Sequence, residues 1–132
     1  MLAERLIQRA VFTHLRCRPA PGVVAWHTPN GGYRHKSEAA IFNGLGVLAG
    51  IPDVFVIQAG RMFALELKTE RGKLSPVQVA TMDALSAAGV TCSVAHGIDQ
   101  ALAQLEAWQL LRGKSAGDKS VASASPAVRC VA

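Results

Sequence analysis

The sequence predicts a mixed α/β domain, one sheet with both antiparallel and parallel strands and helices on both of its faces. Three observations lead there. Residues 52 to 68 read as a β-hairpin, two apolar, branched or aromatic runs on either side of a polar break at Ala59-Gly60. Residues 75 to 95 read as a helix and then a strand, and a strand reached through a helical crossover pairs parallel to the one before it. Amphipathic helices stand at both ends, over residues 2 to 16 and 98 to 111. The full order is helix, strand, helix, hairpin, helix, strand, helix.

Composition sets the bounds. A chain of 132 residues is one domain, long enough to bury about 70% of its surface on folding. Half of the residues are hydrophobic, yet no apolar run approaches the ~20 residues that span a bilayer. Glu4, Arg5, Gln8 and Arg9 interrupt any signal-peptide core, so a cytoplasmic, nucleoid-associated protein with no membrane contact is expected. Cys17, Cys92 and Cys130 form no C-x-x-C pair, which argues against a zinc site and a disulfide framework and for a reducing compartment. No small-molecule cofactor is expected. A formal charge of +5 permits nucleic-acid binding without establishing it.

In the first helix, Ala3, Leu6, Ile7, Ala10, Val11 and Leu15 form the apolar arc, with Arg5, Arg9, Thr13 and Arg16 opposite. Glu4 falls at the arc's margin, where the helix dipole alone would favour an acid. Val23 to Trp26 make a short strand after the Pro19, Pro21 and Gly22 breaks. The loop from His27 to Lys36 carries Asn30, Tyr33, Arg34 and Lys36 as candidate nucleic-acid contacts. Its glycines allow close backbone approach to a phosphate, the cations neutralise charge, and the tyrosine can stack. An ordinary Asn-Gly turn with solvated charges is the plainer reading of the same residues.

A second helix is expected over residues 37 to 49, with Ser37 as N-cap and Ala39, Ala40, Ile41, Leu45 and Leu48 as its apolar positions. Gly44 and Gly46 weaken it, which predicts either close packing against a neighbour or an end near Gly50. After the hairpin, Ser75-Pro76 opens a third helix, and Gln78 completes a capping box with Ser75. Gly89 closes that helix, residues 90 to 95 form the last strand, and Trp26 and Trp108 read as packing residues. The domain is expected to span residues 1–112. Residues 113–132, rich in Gly, Ser, Ala and Lys, read as a flexible basic tail.

The chemistry is concentrated in the hairpin. With Ala59-Gly60 as a two-residue turn, Gln58 pairs with Arg61, Val56 with Phe63, and Asp53 with Glu66. Asp53, Glu66 and Lys68 then share one face, while Val54, Val56, Phe63, Leu65 and Leu67 face the core. Like charges directly opposed across a sheet are destabilising, unless one is protonated or a cation lies between them. Hard oxygen ligands suit Mg²⁺ or Mn²⁺. A divalent ion, two carboxylates and a lysine together suit phosphodiester hydrolysis, the ion polarising the phosphoryl oxygen and the lysine orienting water or offsetting charge. The bland alternative is a strand-opening Asp53 and a solvated outer face bearing Glu66 and Lys68.

Pro52-Asp53 followed by Glu66-Leu67-Lys68 resembles the PD-(D/E)XK nuclease signature. The segments 27–32, 46–53 and 72–78 are similar to those of its VRR-NUC branch, and the resemblance covers about residues 4 to 96. It implies a restriction-endonuclease-like core and a metal-dependent DNA endonuclease. Asp53, Glu66, the Leu67 carbonyl and Glu4 would hold Mg²⁺ or Mn²⁺, and Lys68 would assist the nucleophilic water. It also implies a place for Gln78 near the metal, although one side chain is not expected to complete both that role and the capping box. Arg71 and Lys73 are candidate phosphate contacts or a solvated loop. Standalone members resemble Holliday-junction resolvases, so branched DNA and a homodimer are expected. Two alternatives stand beside this: a catalytically inactive DNA-binding module of the same fold, and a nuclease acting on flaps, single strands or RNA.

Overall fold

A computed structural model of the protein describes residues 2–29 and 36–113. It contains α1 (Leu2–Cys17), β1 (Val24–Trp26), α2 (Lys36–Gly44), β2 (Val54–Gln58), β3 (Arg61–Lys68), α3 (Pro76–Ala87), β4 (Thr91–His96) and α4 (Ile98–Ala107). The four strands form one sheet in the order β1-β2-β3-β4, the first two pairings antiparallel and β3-β4 parallel. This is the mixed α/β sheet expected from the sequence. None of the described helices is long and apolar enough to cross a membrane.

The hairpin register is the expected one, with Gln58 opposite Arg61, Val56 opposite Phe63, and Val54 opposite Leu65 at its open end. Ala59 and Gly60 both have positive φ, +50° and +76°, the backbone of a type I′ turn, whose twist matches that of the flanking strands. A two-residue turn leaves no slack, and a slip by one residue would expose the whole apolar set. Val54, Val56, Phe63, Leu65 and Leu67 accordingly form the core with Val11 and Leu15 of α1 and Ala101 and Leu105 of α4. The opposite face of the sheet is covered by α3, whose Thr81 and Met82 are buried.

Helix ends explain where element lengths depart from expectation. α2 ends at Gly44, five residues early, because Gly46 takes φ +89° and the Val47 and Gly46 amides donate back to the Phe42 and Asn43 carbonyls. Its apolar residues are a correction too, since they do not join the core: Leu45 is 74% exposed. Ser37 lies inside the first turn of α2 and so is not its N-cap. α4 stops at Ala107 because Gln109 adopts φ +63°, which turns Leu110 and Leu111 into the core, and the Leu110 carbonyl accepts from the Ala20 amide. α3 ends as expected, with Gly89 at φ +102°.

The segment leading into β2 is pinned to the first turns of α3. Thr81 donates its hydroxyl to the Ala49 carbonyl at 2.7 Å. Gly50 has φ +74°, and a Cβ there would lie 2.7 Å from the Val77 carbonyl oxygen. Glycine is therefore required twice over, for its dihedral and for its missing side chain. Pro52 follows, fully buried, and delivers Asp53 to the open end of the hairpin.

Two substitutions test this scaffold in opposite directions. Ala59 is an L-residue in left-handed backbone, so Ala59→Asn is expected to raise stability by about 1 kcal/mol in chemical denaturation with the slope unchanged. Gly50→Ala is expected to cost roughly 2 kcal/mol or more in the same measurement. A Gly50→Ala protein as stable as the parent would show that the contact with α3 is not needed.

Candidate active site

Asp53 and Glu66 meet where the β2-β3 ladder ends. Asp53 lies one residue before Val54 and Glu66 one residue after Leu65, so the register sets them opposite each other. Asp53 Oδ2 accepts the Leu67 backbone N–H at 2.9 Å, which continues the ladder by one side-chain bond. The Leu67 carbonyl points to the same edge of the strand as its N–H, toward Asp53, while its side chain is buried in the core. Glu66 and Lys68 lie on the opposite face and are themselves buried, 3% and 8% exposed. The reading of these two residues as a solvated outer face is thereby excluded.

Each oxygen of Glu66 has a distinct environment. Oε1 accepts from Gln78 Nε2 at 3.1 Å and lies 3.7 Å from Lys68 Nζ. Oε2 is buried without a hydrogen-bond partner. When both carboxyls are ionised, neither has a hydrogen to give the other, and Oε2 is satisfied only by a proton or a cation. Burial, the charge of Asp53 and the hydrogen bond that a protonated carboxyl makes to Asp53 push Glu66 up to about 8. Lys68 pulls it down and Glu4 adds to the rise. This is the electrostatic conflict that the paired register predicts.

Gln78 resolves its two readings by using both ends of its amide. Its Oε1 accepts the Ser75 backbone N–H at 2.9 Å, and the Gln78 backbone N–H donates to Ser75 Oγ at 3.2 Å, completing the capping box. Its NH₂ group then reaches Glu66. The expectation that one side chain would not serve both is corrected: the cap fixes the amide oxygen, which leaves only the donor end to face the carboxylate.

A cavity of about 920 Å³ opens over these groups, lined by Asp53, Glu66, Lys68, Gln78 and, from α1, Glu4 and Arg5. Glu4 therefore lies at the site, but among the described residues no three His, Cys, Asp or Glu side chains converge into a metal-holding group. The directly opposed carboxylates at the site are Asp53 and Glu66. That pair fits a hard divalent cation, because an ion between the carboxylates would supply the partner that Oε2 lacks and relieve their repulsion. The Leu67 carbonyl is an oxygen donor on the same side.

His27 lines the cavity as well, a position to which the sequence reading assigns no role beyond membership of the 27–32 segment. Its Nδ1 lies 2.7 Å from the Asp53 carbonyl. A carbonyl only accepts, so Nδ1 carries the hydrogen and Nε2 is the ring's acceptor in the neutral form. The contact joins β1's exit to the start of β2, 26 residues apart, and no local spacing reveals it. Arg71 and Lys73 are exposed in the β3-α3 connection and do not line the cavity. Lys36 opens α2; its side chain, together with Asn30, Tyr33 and Arg34 and the expected tail beyond Gly113, lies outside the described residues.

The same architecture occurs in known structures. One, described as a VRR_NUC domain protein, is 24% identical, with 82% of this chain and 88% of that chain covered and a TM-score of 0.68. A second, described as a VRR_NUC domain, is 19% identical, with 79% and 95% covered and a TM-score of 0.54. No protein-family model and no curated protein matches the chain. The fold of this chain is the one those VRR_NUC structures have.

The Glu66 environment carries a pH signature. The unfolded chain releases this proton near 4.5 and the folded chain near 8. Between those values the folded form holds more protons, so stability falls as pH rises through that window. Melting temperatures in EDTA are expected to fall from about pH 5 to about pH 8.5 more steeply for the parent than for Glu66→Gln. Parallel slopes for the two proteins would contradict the assignment.

Proposed function

We propose that the chain is a metal-dependent nuclease of the VRR-NUC type that hydrolyses phosphodiester bonds in DNA. The observation that carries the proposal is the opposition of half-buried Asp53 and buried Glu66, with Lys68 beside them, at the end of a hairpin on a VRR_NUC fold. Opposed like charges with one of them buried are costly to a sheet, and a hard cation is what such a pair suits. Mg²⁺ or Mn²⁺ held by Asp53, Glu66 and the Leu67 carbonyl would supply Lewis acidity toward a phosphate oxygen and lower the pKa of a water.

The remaining chemistry belongs to the chain's own side chains. Lys68, largely shielded from solvent, places its ammonium where it donates to the attacking water or to a non-bridging phosphate oxygen. There it offsets the charge that builds as the water oxygen bonds to phosphorus and one P–O ester bond breaks. Gln78 holds Glu66 Oε1 in place, and its own amide is immobilised by the helix cap. The Leu67 N–H fixes one oxygen of Asp53, and His27 fixes that residue's backbone. Glu4 contributes charge from the far wall of the cavity. We further propose that the substrate is branched DNA and that the protein acts as a homodimer, as the resemblance to junction resolvases implies.

The test uses labelled four-way junction, 5′-flap, single-stranded and linear duplex DNA with Mg²⁺, Mn²⁺ or EDTA. Metal-dependent cutting of the junction is expected, and Lys68→Ala is expected to reduce the rate by about 100-fold or more. Cutting of flaps or single strands alone would keep the chemistry and remove the resolvase reading. Binding without cleavage under either metal would leave a DNA-binding module.

A further inference from the structure

The first helix carries a feature that the catalytic site leaves unused. Arg5, Arg9 and Arg16 recur at helical spacings of four and seven residues, which places them on one stripe of α1 about 16 Å long. All three are exposed, and among the described residues no carboxylate forms an ion pair with any of them. Arg18, by contrast, is bound to Glu106 at 2.7 Å. Three uncompensated cations on one stripe repel one another, which favours an anion along that stripe.

The stripe lies beside a second cavity, of about 650 Å³, between α1 and the edge strand β1. Gln8, Arg9 and His27 line both this cavity and the one over Asp53 and Glu66, so the two are contiguous. Its floor is apolar, built from Phe12, Val23 and Ala25, which pack on the core beneath. The Arg16 guanidinium sits 5.9 Å over the Phe12 ring. An apolar floor flanked by arginines matches the two chemistries of an unpaired nucleic-acid strand, bases and sugars on one side and phosphates on the other. A duplex laid across the same place would present phosphates to the arginines and leave the floor uncovered.

We infer that the α1-β1 groove binds a single-stranded stretch of the DNA substrate, continuous with the strand whose phosphate lies over Asp53 and Glu66. The inference rests on the nuclease reading for the identity of the substrate and adds a specificity: a branch point bearing an unpaired arm is bound more tightly than the fully paired four-way junction, which remains a substrate. At the 3.4 Å rise of a stacked strand, a stripe of 16 Å accommodates at most about five nucleotides.

The full-length protein in EDTA, titrated with duplexes bearing single-stranded arms of zero to eight nucleotides, reads this directly. Affinity is expected to rise with arm length and level off by about five nucleotides. The triple variant Arg5→Gln/Arg9→Gln/Arg16→Gln should lose that gain and reduce the slope of log K against log salt by about 2. Arg71→Gln/Lys73→Gln should retain the gain, and a melting curve confirms that each variant is folded. In the parent protein, 4-thiothymidine in the arm should crosslink to peptides within residues 5–27. No arm-dependent gain, a gain that survives the triple variant, or crosslinks confined elsewhere would overturn the groove. Adding Mg²⁺ or Mn²⁺ separates the two proposals: arm-dependent binding with no cutting sinks the nuclease and keeps the groove, whereas cutting indifferent to the arm does the reverse.

Discussion

The constraint on which the rest depends is the opposition of Asp53 and Glu66 at the open end of the hairpin. Two carboxylates so placed repel, and the burial of Glu66 removes water that would otherwise screen them. The neighbouring structure holds them there nonetheless. The two-residue turn at Ala59-Gly60 fixes the register from one end, and the Leu67 N–H fixes Asp53 from the other. The cap of α3 orients Gln78 toward Glu66, and Gly50 and Thr81 tie the approach segment to that same helix. Lys68 is close enough to lower the cost but, at 3.7 Å and on the already occupied Oε1, does not cancel it. Oε2 remains the unsatisfied atom toward which these contacts converge.

What the sequence revealed follows from which of these constraints are local. The hairpin pairing was legible because a two-residue turn admits one register, and the opposition of Asp53 and Glu66 follows from counting outward from it. The burial of Glu66 and Lys68 was harder to read, since the same alternation describes a half-exposed strand; only the covering of that face by α3 decides between them. The capping box of Gln78 lies within four residues and was visible in the spacing, whereas its second bond reaches across to β3 and only the family resemblance pointed toward it. His27 was invisible for the same reason in a stronger form, since its acceptor is a backbone carbonyl that any residue at position 53 would supply. α2 misled because its apolar residues have helical spacing but no core to face, and its end is set by Gly46.

α1 is amphipathic as its periodicity predicts, but the periodicity assigns no role to its polar face. Periodicity separates an apolar arc from a polar one but does not say what the polar arc faces. In the fold, that helix packs by its apolar side on Val54, Leu65 and Leu67 and lies along the margin of the site, so its arginines border the cavity mouth. Glu4 and Arg5 are adjacent in sequence and both reach that cavity with opposite charge. The acid strengthens the negative potential over Glu66, and the arginines behind it supply the opposite field where a phosphodiester chain would leave. A charge gradient of this kind, negative at the carboxylates and positive along the helix, is what a cation and a polyanion meeting at one place require.

Replacing a buried charged group by a well-packed apolar one is often neutral or stabilising, so a sheet shaped only for stability would place a residue such as valine or leucine at position 66. This chain instead surrounds an ionisable group with devices that each carry a cost of their own: a positive-φ alanine in the turn, a glycine pressed against a helix, and a lysine drawn out of solvent. None of these stabilises the others through apolar packing. They have in common only that they position Asp53, Glu66 and Lys68. Local departures from the most stable choice that converge on one set of atoms are the mark of a functional site. Here they converge on a carboxyl whose Oε2 has no hydrogen-bond partner from the surrounding side chains.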